Sequence, residues 1–147
     1  MQRLMLKSKL HRAVVTDADL DYEGSISIDE NLLKAARIIP YEKVDVYNVT
    51  NGERFSTYAI ADRKNSGTVC LNGAAARKAS RGDLVIIASY VVLEDDEAAG
   101  WEPTCVLVDA QNRIKPQAPQ GGGCALVRRA GKSTGRGAAA STGRAAC

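Results

Sequence analysis

Asn51-Gly52 lies between two strand-like runs, Lys43 to Thr50 and Arg54 to Ala61. That dipeptide closes a tight β-hairpin because both residues accept positive φ at little cost. A hairpin by itself needs further strands to cover its apolar face. Short apolar or alternating runs supply them at Met5 to Thr16, Ser25 to Ile28, Gly67 to Leu71, Leu84 to Leu93 and Thr104 to Ile114. Only two stretches read as helix. Asp29 to Ile39 has Asp29 as N-cap, Leu32, Leu33, Ala36 and Ile39 at helical spacing, and Pro40 as a stop; Ala74 to Ala79 is short and Ala-rich. Seven short strands and little helix predict a mainly β fold, closed or nearly closed into a barrel, since an open sheet of this size leaves long edges exposed.

The 147 residues suffice for one domain with its own core. No run approaches 18 consecutive apolar residues, and Met1 to Lys7 has no signal-peptide pattern, so a cytoplasmic address without membrane contact is expected. The four cysteines form no Cys-x-x-Cys pair and His11 is the sole histidine, which argues against both a metal site and a disulfide framework. The net charge of +3 is unevenly spread. Residues 121–147 carry Arg128, Arg129, Lys132, Arg136 and Arg144 with no acid, leaving 15 basic against 17 acidic residues elsewhere. This Gly/Ala/Arg-rich stretch has almost no large apolar side chain to offset the entropy of ordering, so residues 118–147 read as a disordered tail. Without an aromatic residue for base stacking, it argues against nucleic acid as a partner.

Two motifs fail on inspection. Gly131-Lys132-Ser133 ends like a phosphate-binding loop, yet Leu126 stands where that loop needs glycine. Asp17, Asp19 and Asp21 imitate a calcium loop, but Tyr22 and Ile28 occupy the positions of its glycine and its bidentate glutamate. The acidic run Glu94 to Glu97 reads as a solvated loop.

Tyr22-Glu23-Gly24-Ser25-Ile26 is chemically richer. Attack of the Ser25 hydroxyl on the Gly24 carbonyl would turn the amide into an ester, and β-elimination followed by hydrolysis would leave a pyruvoyl ketone at residue 25. By strand alternation Lys7, Lys9 and His11 share one face, as do Arg54, Ser56 and Tyr58. Arg54 and Tyr58 could then reach one ligand, the guanidinium gripping a carboxylate and the phenol donating a proton. Asn72-Gly73-Ala74-Ala75 places an amide and small residues where a turn enters a helix, leaving backbone N–H groups open to an anion.

Together Lys9, His11, Tyr22 to Ile26, Arg54, Thr57-Tyr58 and Asn72 to Ala75 give a chain that resembles the pyruvoyl-dependent aspartate 1-decarboxylases over about residues 1–117. The resemblance implies a six-stranded double-psi β-barrel with short helices, cut between Gly24 and Ser25 into chains 1–24 and 25–147. It also implies a homotetramer with active sites between subunits and formation of β-alanine from L-aspartate for pantothenate, while the sequence leaves open whether a maturation factor is needed. By the same resemblance Ser25 is the pyruvoyl precursor that forms the Schiff base, and Tyr58 the proton donor. Thr57 assists cleavage and contacts substrate, Lys9 and Arg54 hold carboxylates, and Gly73, Ala74 and Ala75 bind substrate through their backbone, with Asn72 and His11 nearby. One departure is Tyr47, where well-known members carry Trp. Two alternatives stay open: a non-enzymatic barrel whose basic tail is the functional part, and the same chemistry on another amino acid, such as glutamate.

Overall fold

The computed structural model describes residues 1–116; the tail expectation for 118–147 and the Gly131-Lys132-Ser133 motif fall outside the described residues. Eight strands are present: β1 Gln2–Val14, β2 Asp17–Asp19, β3 Ile26–Asp29, β4 Lys43–Asn48, β5 Arg54–Asp62, β6 Val69–Asn72, β7 Leu84–Glu94 and β8 Thr104–Leu107. The helical pieces are α1 Glu30–Ala35, a 3-10 helix Gly73–Lys78 and α2 Asp95–Ala99. The fold is mainly β with short helices, as expected. Among the described residues no helix is long and apolar enough to cross a membrane.

All seven anticipated strands form. An eighth strand joins them, because β2 pairs in parallel with β6. Its Asp-Ala-Asp sequence is poor in strand formers, so only the partner makes it a strand. Hydrogen bonding orders the strands β2-β6-β3-β5-β4-β7-β1-β8, and the ladder ends at β2 and β8 without closing on itself.

The Asn51-Gly52 hairpin forms, with Gly52 at φ +81 and antiparallel pairing from Tyr47 opposite Arg54 to Lys43 opposite Tyr58. Apolar residues of alternate positions meet in one core, where Leu10, Ile26, Ile28, Val44, Val46, Leu71 and Ile87 are almost completely buried. That burial is the main stabilising term.

Asp29 caps α1 as anticipated, accepting from Asn31 N–H at 2.8 Å. Its carboxylate also accepts from the Asn65 and Gly67 N–H groups, at 3.1 and 2.8 Å, so one buried side chain joins the helix start to the β5–β6 loop. The helix stops at Ala35, short of Ile39, because Arg37 turns to φ +55 before Pro40 is reached. The acidic run read as a loop is instead the start of α2. Glu94 and Glu97 form a reciprocal capping box, and three acids occupy its first turn, where the helix dipole favours negative charge.

Candidate active site

Strand register decides what surrounds Ser25. In the parallel β3–β5 pair Ile26 sits opposite Ala59, and in the antiparallel β3–β6 pair it sits opposite Leu71. The residue before Ile26 is therefore held between Tyr58 and Asn72. Tyr58 N–H donates to Ser25 Oγ at 3.3 Å, and Asn72 N–H donates to the Ser25 carbonyl at 2.9 Å. Ser25 is 7% exposed and Asn72 2%, whereas the Tyr58 ring is 43% exposed. A buried hydroxyl thus lies beside a tyrosine that opens to the outside.

Gly24 has φ +121, and a Cβ placed on it would lie 2.5 Å from Ile60 Cδ1. The Ile60 methyl can move; the backbone angle cannot relax without disturbing the entry into β3. Gly24→Ala is accordingly expected to destabilise the fold by about 1–3 kcal/mol, seen as a lower denaturant midpoint. A wild-type midpoint would show that the angle is not needed. Gly73, at φ +56, closes the other side of the same bond, since its absent Cβ would lie 3.4 Å from the Gly24 carbonyl oxygen. The N–H groups of Gly73 and Ala74 open the 3-10 helix, where they have no intrahelical acceptor. Inside the fold Asn72 Nδ2 donates to Ser27 Oγ at 2.9 Å, and the Cys70 thiol donates to Asn72 Oδ1 at 3.2 Å. Burial, with Asp17 and Asp19 nearby, raises the Cys70 pKa and keeps that thiol a donor.

The structure brings together Gly24, Ser25, Tyr58, Asn72, Gly73, Ala74 and Ala75. Thr57 is next in the chain but pairs with Val44, and among the described residues no hydrogen bond links it to Ser25.

Lys9, Arg54 and Tyr47 form a second group. Lys9 is opposite Ala88, Ala88 is opposite Asp45, and Asp45 is opposite Ser56, so Lys9 lies three strands from β5 on the face that Arg54, Ser56 and Tyr58 share. Arg54 is four residues from Tyr58, about 13 Å along an extended strand. Its guanidinium lies over the Tyr47 ring, 4.2 Å from the centroid, and not toward Ser25. The anticipated meeting of Arg54 and Tyr58 on one ligand is therefore not made by direct adjacency within one chain.

The anticipated Lys7, Lys9, His11 face divides by role. Lys7 falls at a register shift between Leu6 and Ser8 and pairs with Glu42 at 2.6 Å. Burial raises the Glu42 pKa, but the Lys7, Ser89 and Ile39 hydrogen bonds outweigh it, so the carboxyl ends below its usual value. His11 lines a cleft of about 300 Å³ with Arg12, Leu107, Asp109 and Lys115. Burial, with Lys9 and Arg12 nearby, lowers its pKa and favours the neutral ring.

Sequence reasoning missed Tyr41 and Tyr90. Tyr41 has φ +68 and its ring lies 6.5 Å from that of Tyr58. Tyr90 shares a 2.7 Å contact between hydroxyls with Tyr47. Neither stands in a motif; unusual backbone and cross-strand reach mark them. A larger cavity of about 480 Å³, lined by Asp29, Asn31, Asn65 and Asn112 among others, lies at the far end of β3. The Asp29 carboxylate and the Asn112 amide there are occupied in holding loops together.

A family model described as aspartate decarboxylase matches residues 1–115. Relatives called aspartate 1-decarboxylase are 69% identical in Syntrophus aciditrophicus over 115 residues (78% of this chain, 99% of the relative) and 62% identical in Methylobacillus flagellatus over 117 residues (80% and 93%). A relative of the same name in Thermoanaerobacter pseudethanolicus is 55% identical over 113 residues (77% and 97%).

Proposed function

The chain belongs to the aspartate decarboxylase family, and we propose that it generates a pyruvoyl group from Ser25 and uses it to remove the α-carboxylate of L-aspartate. The enzyme is a carbon–carbon lyase, and its products are β-alanine and carbon dioxide. The observation that carries the cofactor reading is the position of Ser25, buried between Tyr58 and Asn72 and preceded by a glycine at φ +121.

Maturation uses this chain's own atoms. Ser25 Oγ attacks the Gly24 carbonyl carbon, the amide C–N bond breaks, and an ester forms while the residue 25 nitrogen becomes an amine. Elimination across Cα–Cβ releases the Gly24 carboxylate and leaves dehydroalanine; water then enters, ammonia leaves, and residue 25 ends as a ketone. The Gly24 oxygen, where charge collects during the attack, lies against Gly73 at the opening of the 3-10 helix. A glycine there leaves room that a Cβ would take. The residues around Ser25 thus fit the group: small at Gly24 and Gly73, with amide donors at Asn72 and in the helix's first turn.

Once formed, the pyruvoyl group supplies an electron-withdrawing carbonyl that makes loss of carbon dioxide from the substrate feasible. Tyr58 returns a proton to Cα, from a strand position adjoining residue 25. Asn72 and the Gly73 to Ala75 backbone orient the substrate, and Thr57 assists cleavage. Lys9 and Arg54 take the carboxylates, the planar guanidinium suiting a bidentate grip.

Because Lys9, His11 and Arg54 stand apart from Ser25 along the sheet, the reading completes each site with a neighbouring copy in a homotetramer. Exposed Tyr41 (79%), Leu4 (70%), Ile39 (67%) and Val92 (56%) support a surface that assembly would cover. The enzyme would serve pantothenate synthesis in the cytoplasm, with residues 1–117 as the catalytic domain and a maturation factor where cutting is slow. Denaturing mass spectrometry tests the central step. The expected products are residues 1–24 and a 25–147 fragment blocked to Edman chemistry. Cutting only in cell extract assigns maturation to a factor. A chain left intact both alone and in extract overturns the reading.

A further inference from the structure

We propose that Tyr90 positions the Arg54 guanidinium through Tyr47, which makes a hydroxyl pair across β4 and β7 part of the carboxylate clamp. The inference rests on the reading of Arg54 as that clamp. Tyr47 is the cross-strand partner of Arg54, and its ring lies flat enough beneath the guanidinium carbon for a cation–π contact at 4.2 Å. Among the described residues Arg54 makes no salt bridge, so the ring is what holds it and its N–H fork stays open to a carboxylate.

The ring is itself held. Tyr47 is opposite Ile86, and Ala88 and Tyr90 follow on the same face of β7. Ala88 is small and 1% exposed, and over it the two phenols meet with their oxygens 2.7 Å apart. Asp45 Oδ2, at 3.5 Å from the Tyr47 hydroxyl, is too far to substitute for Tyr90. The Tyr90 hydrogen bond, then burial, raise the Tyr47 pKa to about 12, so the phenol stays neutral while it supports the cation. Lys9 is the cross-strand partner of Ala88. The hydroxyl pair therefore sits between the two cations assigned to substrate carboxylates. An indole at residue 47 could stack beneath Arg54 too, but it has no oxygen to share with Tyr90.

The test is steady-state kinetics on fully matured enzyme, with maturation checked by mass. Tyr90→Phe is expected to raise KM for aspartate about 3- to 10-fold, the size of one hydrogen bond, while kcat stays within about twofold. Tyr47→Phe keeps the ring and loses the same bond, so it should match. The double variant should be no worse than either single one, since all three lack one shared interaction. A role in folding alone would lower the yield or midpoint and leave KM unchanged. Arg54→Lys separates the two layers of the argument. If it raises KM while Tyr90→Phe does not, or if the two phenylalanine effects multiply, positioning by Tyr90 is overturned and the clamp stands. If Arg54→Lys leaves KM unchanged, the clamp reading fails and the inference falls with it.

Discussion

Ser25→Ala is expected to give a folded, uncut chain with no detectable decarboxylation. The Ser25 side chain is buried, but its one hydrogen bond among the described residues is the contact of 3.3 Å from Tyr58 N–H, at the weak end of the range. Losing it costs about 1 kcal/mol, which leaves the β3–β5 and β3–β6 ladders in place. The chemical loss is total, because no other atom there can attack the Gly24 carbonyl and become a ketone. Mass spectrometry should find one intact chain, circular dichroism a β spectrum like that of the parent, and a carbon dioxide assay only background. Decarboxylation by this variant would refute Ser25 as the origin of the electrophile.

Tyr58→Phe should separate maturation from turnover. What links Tyr58 to Ser25 is its backbone N–H, which phenylalanine keeps. The phenol hydroxyl makes no hydrogen bond among the described residues, and the ring is 43% exposed beside Tyr41, so neither folding nor cutting should suffer. Turnover should fall by about 10²- to 10⁴-fold, the usual worth of a positioned general acid, with fragments 1–24 and 25–147 still formed. Uncut protein would instead assign Tyr58 to maturation. Cut protein with parental turnover would remove it from the mechanism.

These expectations depend on two kinds of information. The hairpin at Asn51-Gly52, the Asp29 cap and the alternation of Ile26 and Ile28 with Ser27 were legible in the chain. Each is settled by residues within a few positions of one another. The proposed Gly24-Ser25 chemistry was suggested by the sequence for the same reason, since nucleophile and target are adjacent. By contrast, β2 exists only because β6 pairs with Asp17–Asp19. The α2 helix was hidden because its four acids read equally well as a solvated loop until the reciprocal bonds of Glu94 and Glu97 are seen.

The candidate site divides along the same line. Local sequence named Ser25, Tyr58, Asn72 and Arg54 and their chemical capacities. Which of them meet was decided by register between strands that lie far apart in the chain, where a one-residue slip would turn every side chain to the other face. That register set Ser25 between Tyr58 and Asn72, sent Arg54 over Tyr47, and brought Tyr90 across Ala88 to hold it. Residue chemistry is a property of each side chain and its immediate neighbours. Contact between strands depends on how the whole sheet buries its apolar faces, and only the folded chain resolves it.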